Sequence, residues 1–180
     1  MRSKNNRVVI LSTSIAATLL TLCIVGTSFS TTVLAQQEKF FAKLSGSNEV
    51  PPVTTSGSGV AIFLLSADGK SLDYQLNLTN MNSVMGAHIH NGKQGENGPV
   101  VAGLFNPSMT APPTGAINGQ LKKGTLTSAD LSGPLAGKQI SDLVAMIKSG
   151  GAYVNVHTTQ NQNGEIREQI SWLPGYQQRH

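Results

Sequence analysis

"GVAIFLLSADGKSLDYQLNLTN", residues 59–80, sets two apolar runs of strand length on either side of Asp68-Gly69. An Asp-Gly pair between such runs is a strong hairpin signal, because these residues accept the backbone angles of a tight turn. The flanking runs are Val60 to Leu65 and Leu72 to Leu78. In the second, Leu72, Tyr74, Leu76 and Leu78 share one parity, while Asp73, Gln75, Asn77 and Thr79 share the other. Successive side chains of a strand point to opposite faces, so one face of this segment belongs to a core and the other to water.

The same period continues outward from the hairpin. In "KFFAKLSG", Phe40, Ala42 and Leu44 alternate with Phe41 and Lys43. Downstream, "AINGQLKKGTLT", "AYVNVHT" and "EIREQI" are further strand-like segments bounded by Gly, Asn or Ser. "SDLVAMIKSGG" predicts the one helix, over residues 139–149. Ser141 is its expected cap, Leu143, Val144 and Ile147 make its apolar stripe, and Gly150-Gly151 stop it. Pro51-Pro52 and "NPSMTAPPTG" read as loops, since proline lacks the N–H that a central strand donates. Short strands at turn-spaced intervals with one short helix predict an all-β domain, an antiparallel sandwich or barrel-like fold.

The N-terminus stands apart from this pattern. Arg2, Lys4 and Arg7 precede an uncharged, mostly apolar stretch from Val8 to Ser30, and Val33-Leu34-Ala35 offers a small-residue exit before Gln36. Residues 1–35 are therefore expected to be a secretory signal peptide, with export to the cell surface or the medium. An uncleaved anchor is the competing reading, because the apolar stretch approaches the roughly 20 residues that span a bilayer. Membrane attachment is expected only in that case. Cys23 follows the bulky Leu22 and does not suit a lipoprotein site. Residues 36–170 then form the β domain and 171–180 a flexible tail, "SWLPGYQQRH".

Removing the leader changes the charge argument. Without Arg2, Lys4 and Arg7, ten of the 13 basic residues remain against nine acids, a balance of +1. Lys122-Lys123 is the only basic doublet and has no aromatic neighbours, so a nucleic-acid surface has no support. The part after residue 35 has no cysteine, so an exported domain must rely on its core and its ladder hydrogen bonds. About 145 residues suffice for one such core.

Three segments carry a resemblance. "LSGSNEVPPV", "GAHIHNGKQGENGPVV" and "AYVNVHTTQNQNGEIREQI" stand in order at residues 44–53, 86–101 and 152–170. Together they resemble the three signatures of the chordin-type, or CHRD, domain over roughly residues 38–170. The resemblance implies an extracellular, β-sandwich-like module, and it implies location and fold more firmly than a biochemical role. Glu168 departs from the family's Gly-Glu-Ile-Arg-Gly pattern, which puts a bulge or close backbone approach at that position in doubt.

The histidines are the chemical candidates. His88 and His90 are two apart, so on a strand they share a face, with Ala87 and Ile89 on the other. In "YVNVHT" the parity of Val154 and Val156 leaves Tyr153, Asn155 and His157 together. If the two strands are neighbours, three imidazoles converge, a donor set suited to copper or zinc. The His-x-His pair also resembles the copper-binding strand of Cu/Zn superoxide dismutases, though no further element of that pattern follows. The preferred expectation is structural, with His88 and His90 tied to the "NGKQGENGP" loop and Glu165 nearby as a carboxylate partner, and with no cofactor.

The remaining polar positions point to structure. Glu165 and Arg167 share a face and are expected to pair with each other or with neighbours. Asn48, Glu49, Pro51 and Pro52 end the first strand and fix the loop after it. Asn77 lies in an Asn-Leu-Thr glycosylation sequon on the outward parity. No nucleophile with a base, second catalytic carboxylate or phosphate loop is legible, so catalysis is not expected. Two function classes stay open: a non-catalytic extracellular module binding a protein or glycan through its loops, and a histidine-based copper or zinc protein with dismutase-like redox chemistry as its extreme form.

Overall fold

A computed structural model describes residues 37–107 and 115–173, all within the compact unit that spans Leu34–His180. The expected leader, residues 1–35, lies outside the described residues, as do residues 108–114 of the proline-rich loop and residues 174–180 of the tail. The hairpin around Asp68-Gly69 forms as β2, Ser58–Leu65, and β3, Leu72–Asn82. Their register runs from Ser58 opposite Thr79 to Leu65 opposite Leu72. The turn is closed by the Gly69 N–H donating to Ser66 O at 2.9 Å, with Gly69 at φ 70°. The parity of β3 holds as read: Leu72, Tyr74, Leu76 and Leu78 are buried, and their alternates are half-buried or exposed.

The other strands are β1 (Lys39–Ser45), β4 (Val84–Asn91), β5 (Val100–Phe105), β6 (Ala116–Leu126), β7 (Ala152–Thr158), β8 (Ile166–Gln169) and β9 (Ser171–Trp172). They form one sheet in the order β5-β4-β7-β8-β1-β2-β3-β6, with β9 paired to β1. Every ladder is antiparallel. Between the sandwich and barrel forms of the expectation, the sheet takes the second: it is nearly closed and barrel-like. Across the remaining gap Tyr74 on β3, next to the edge strand β6, donates its hydroxyl to Leu104 O on the other edge strand, β5, at 2.6 Å. The chain after β6 continues the closure, with Leu131 bridging Ala102 and the Ser132 N–H donating to Val101 O at 2.8 Å.

The core is the inward set of all these strands, including Phe40, Leu44, Phe63, Leu76, Ile89, Leu104, Val154 and Ile166. The helix α1, Ile140–Lys148, adds Ile140, Leu143, Val144 and Ile147 to it. Its cap differs from the sequence reading. Gln139 holds the N-cap in a capping box with Asp142, whose carboxylate accepts the Gln139 N–H at 2.8 Å. Ser141 lies two residues later, already inside the helix.

Two other boundaries differ. β1 ends at Ser45 in a 3₁₀ turn, Gly46–Asn48, before Pro51 is reached. At the far end Trp172 pairs with Phe40, and the Leu173 N–H donates to Lys39 O at 3.0 Å. The sheet therefore extends past residue 170, into the first residues of the expected flexible tail.

Strands β4 and β7 depart most from the one-face rule. Nearly every residue of β7 is buried, and β4 is buried at five of eight positions. Their inward side chains sit in the core, while loops 92–99 and 159–165 fold over their outer face. A strand covered on both sides can keep polar side chains away from water.

Candidate functional site

Strands β4 and β7 are direct neighbours, with His88 opposite Asn155, His90 opposite Tyr153, and Gly86 opposite His157. Ala87, Ile89, Val154 and Val156 fill the core, so His88, His90, Tyr153 and His157 lie on the outer face. The three imidazoles converge there. Their ring centroids are 5.1 Å (His88–His157), 5.6 Å (His90–His157) and 5.9 Å (His88–His90) apart. One ring nitrogen from each lies within 4.8 Å of the other two. The rings sit in a depression of about 280 Å³ that Met85, Gly86, Val100 and Gln162 also line.

Each ring has one nitrogen committed. His90 Nδ1 donates to Gly98 O at 2.9 Å, and His157 Nδ1 donates to Gln162 O at 3.0 Å. His88 Nε2 pairs with Asn106 Oδ1 at 2.9 Å. A carbonyl oxygen can only accept, so the committed nitrogen of each ring carries a proton, which leaves the second nitrogen to be accounted for. Those other atoms, His88 Nδ1, His90 Nε2 and His157 Nε2, are buried and have no hydrogen-bond partner.

The surroundings of His90 and His157 disfavour their charged forms. Burial pushes the His157 pKa down to about 4, with His88 adding to the effect and the Gln162 carbonyl opposing it. Burial also lowers the His90 pKa, partly offset by the Gly98 carbonyl. His90 packs flat on the Tyr153 ring, centroids 5.0 Å apart and planes 16° apart. The Arg167 guanidinium lies 3.7 Å over the same ring, a cation–π contact.

The comparisons with known proteins join this geometry to a family. The model of the CHRD domain matches residues 40–170, most of the chain. The chain belongs to the CHRD domain family. No curated protein and no solved structure matches it. CHRD domains are typically extracellular, and among the described residues no helix is long and apolar enough to cross a membrane.

In this CHRD chain the three signature segments interlock. Arg167, 2 % exposed, donates to Glu96 O and Asn97 Oδ1, both at 3.0 Å. Asn97 in turn donates to Val50 O at 2.8 Å, beside Pro51 and Pro52. Asn48 donates to Glu168 Oε2 at 2.9 Å. Glu168, the departure from the family pattern, thus supplies an acceptor in a regular β7–β8 register, opposite Val154 and without a bulge. Glu49 is 5 % exposed, and burial raises its pKa to about 7 against the lowering influence of Arg167 and the Val50 N–H.

Glu165 takes a different place from the one expected. Its carboxylate accepts from Thr158 at 2.6 Å, Thr55 at 2.7 Å and Asn161 at 3.2 Å. Burial raises its pKa, but those three bonds outweigh it and hold the group below its ordinary value. It pairs with neither Arg167 nor a histidine, because it lies just before β8, outside the strand parity that the sequence reading assumed. His90 does bond the 92–99 loop, through Gly98. The partners of His88 and His157, Asn106 and Gln162, lie in loops whose approach no local pattern announces. The parity that grouped Tyr153 with His157 was the one signal for the ring stacked on His90.

Proposed function

We propose that the CHRD chain is an exported, non-catalytic binding module whose ligand is a transition-metal cation, copper or zinc, held by His88, His90 and His157. One observation carries this reading: on all three converging rings one nitrogen is held by an acceptor and the other is buried without a partner. A structural cluster ordinarily pairs its buried acceptors, because each one left alone costs about 1–3 kcal/mol. Three imidazoles in one depression, each with one buried and unpartnered nitrogen, are instead a donor set for a borderline or soft cation. Holding the second ring nitrogen with a carbonyl is also how metal-binding histidines are oriented. Ligation at about 2.1 Å brings the three nitrogens to roughly 3.4 Å from one another. One nitrogen from each ring lies within 4.8 Å of the other two, so ligation requires them to close by up to about 1.4 Å.

Calorimetric titration of the purified protein with each metal tests the reading. The expected result is saturable one-to-one binding and a melting temperature that rises by mass action, both lost in His90→Ala. Neither heat nor a thermal shift would leave the cluster structural, and His88→Gln would then cost about 1 kcal/mol for one lost hydrogen bond.

Export is supported by the leader-type residues 1–35 and by the usual setting of CHRD domains. Mass spectrometry of the secreted or surface fraction should find a mature chain starting near Gln36. Recovery of peptides from residues 8–30 in that fraction would favour an anchor. A protein or glycan partner is the second reading, supported by a cleft of about 200 Å³ with Ser47, Asn48, Gln94 and Gln169 on its lining. Saturable binding to an arrayed glycan or peptide, abolished by Gln94→Ala, is the result that reading requires.

A further inference from the structure

Met85 is conspicuous beside the histidines. It is 45 % exposed, one of three large apolar side chains so exposed among the described residues. The others, Val60 on β2 and Trp172 on β9, belong to strands away from β4 and β7. Met85 instead lines the depression that holds His88, His90 and His157.

The backbone explains how it comes to be there. Val84 pairs with Thr158 and Gly86 with His157, so Met85 is the extra residue of a bulge, with no partner opposite it in β7. A bulge re-aims the side chain it carries. Strict alternation would set residue 85 with Ala87 and Ile89, toward the core; the bulge releases it. Gly86, which shares the parity of His88 and His90, keeps the space clear. A Cβ at Gly86 would sit 3.0 Å from His88 Cε1 and 3.4 Å from His88 Nε2. The position between Met85 and the imidazoles therefore carries no side chain.

Resting on the metal reading above, we propose that the Met85 thioether is a fourth ligand and that it commits the site to cuprous copper over zinc. Thioether sulfur is a soft, neutral donor that favours Cu(I). Its unbranched, flexible side chain lets the sulfur reach a cation without moving the strand. No carboxylate belongs to the ligand cluster found among the described residues, and Glu165 is held elsewhere by three hydrogen bonds. A neutral set of three imidazoles and one thioether suits a monovalent soft ion better than a hard divalent one.

The test is the purified protein and its Met85→Leu variant, titrated anaerobically with Cu(I) against a colorimetric chelator and separately with Zn(II). Leucine keeps the apolar bulk at an exposed site, so folding should be unaffected, and a thermal melt checks it. The proposal expects the variant to lose at least about tenfold in Cu(I) affinity while Zn(II) affinity stays unchanged. X-ray absorption of the copper-loaded protein should show one sulfur neighbour, absent from the variant. Equal Cu(I) binding by both proteins, or a copper shell of nitrogen alone, overturns the thioether ligand and leaves the histidine site standing. A wild-type protein that binds neither metal overturns both.

Discussion

Burial and the neighbouring His88 hold the His157 imidazole at a pKa of about 4, against an ordinary 6.5. As pH falls from 6.5 toward 4, the unfolded chain takes up a proton that the folded domain refuses. Stability contributed by this residue therefore declines across that window, and the whole loss is present below it. Glu49 acts in the opposite sense. Its folded carboxyl titrates near 7 rather than 4.5, so its contribution falls as pH rises between those values. The two are separated by comparing wild type with His157→Gln, which keeps Glu49. The difference in melting temperature should shift in favour of the variant as pH drops from 7 to 4. A difference independent of pH would mean that His157 is not held neutral. At this scale the sequence placed all three histidines on one side of their strands, since parity is a property of the backbone alone. Their tautomers depend on carbonyls from Gly98 and Gln162, which only the folded chain brings within reach.

The element that most needs its backbone is the 92–99 loop. Gly98 accepts from His90 Nδ1 and donates its N–H to the Tyr153 hydroxyl at 3.0 Å. A Cβ at residue 98 would overlap the Asn91 carbonyl oxygen, so only glycine lets the loop lie this close to β4. Gly98→Ala should push the loop away, remove the acceptor from His90 and cost more than about 1 kcal/mol. Thermal melting reads the stability. Faster hydrogen exchange at the Asn91 N–H, which donates to Pro99 O at 2.9 Å, reads the loop. Unchanged exchange together with an unchanged melt would show that the loop accommodates a methyl group. The β2–β3 hairpin and α1 were legible because turn residues, alternation and an apolar stripe are local signals. The cap is not legible locally, because Gln139 acts through a reciprocal bond with Asp142 while residue preference favours Ser141. The short β9 has too few residues to show a period.

Closure of the sheet is a property of the whole molecule, and Tyr74 is its most testable link. Its ring lies in the core while its hydroxyl spans from β3 to Leu104 on the opposite edge. Tyr74→Phe keeps the ring and removes that bond, so it should lower stability by about 1 kcal/mol. Exchange should quicken along β5 more than along β2, and equal protection of both strands would show that the edges are held by other means. Most strand positions, the inward parity of β1, β3 and β7 and the fold class followed from the sequence by itself, because a period of two reports which side of a strand avoids water; β5 and β9 carried no such signal. The charge balance and the leader-type N-terminus are likewise written in composition. Which strands become neighbours is not, because the pairing of β4 with β7 joins segments far apart in the chain. Parity says that His88, His90 and His157 point outward, but it cannot say whether water or another loop meets them there. The tertiary structure alone decided that loops cover them and occupy one nitrogen of each ring, so that the unpartnered nitrogens remain buried in a shared depression.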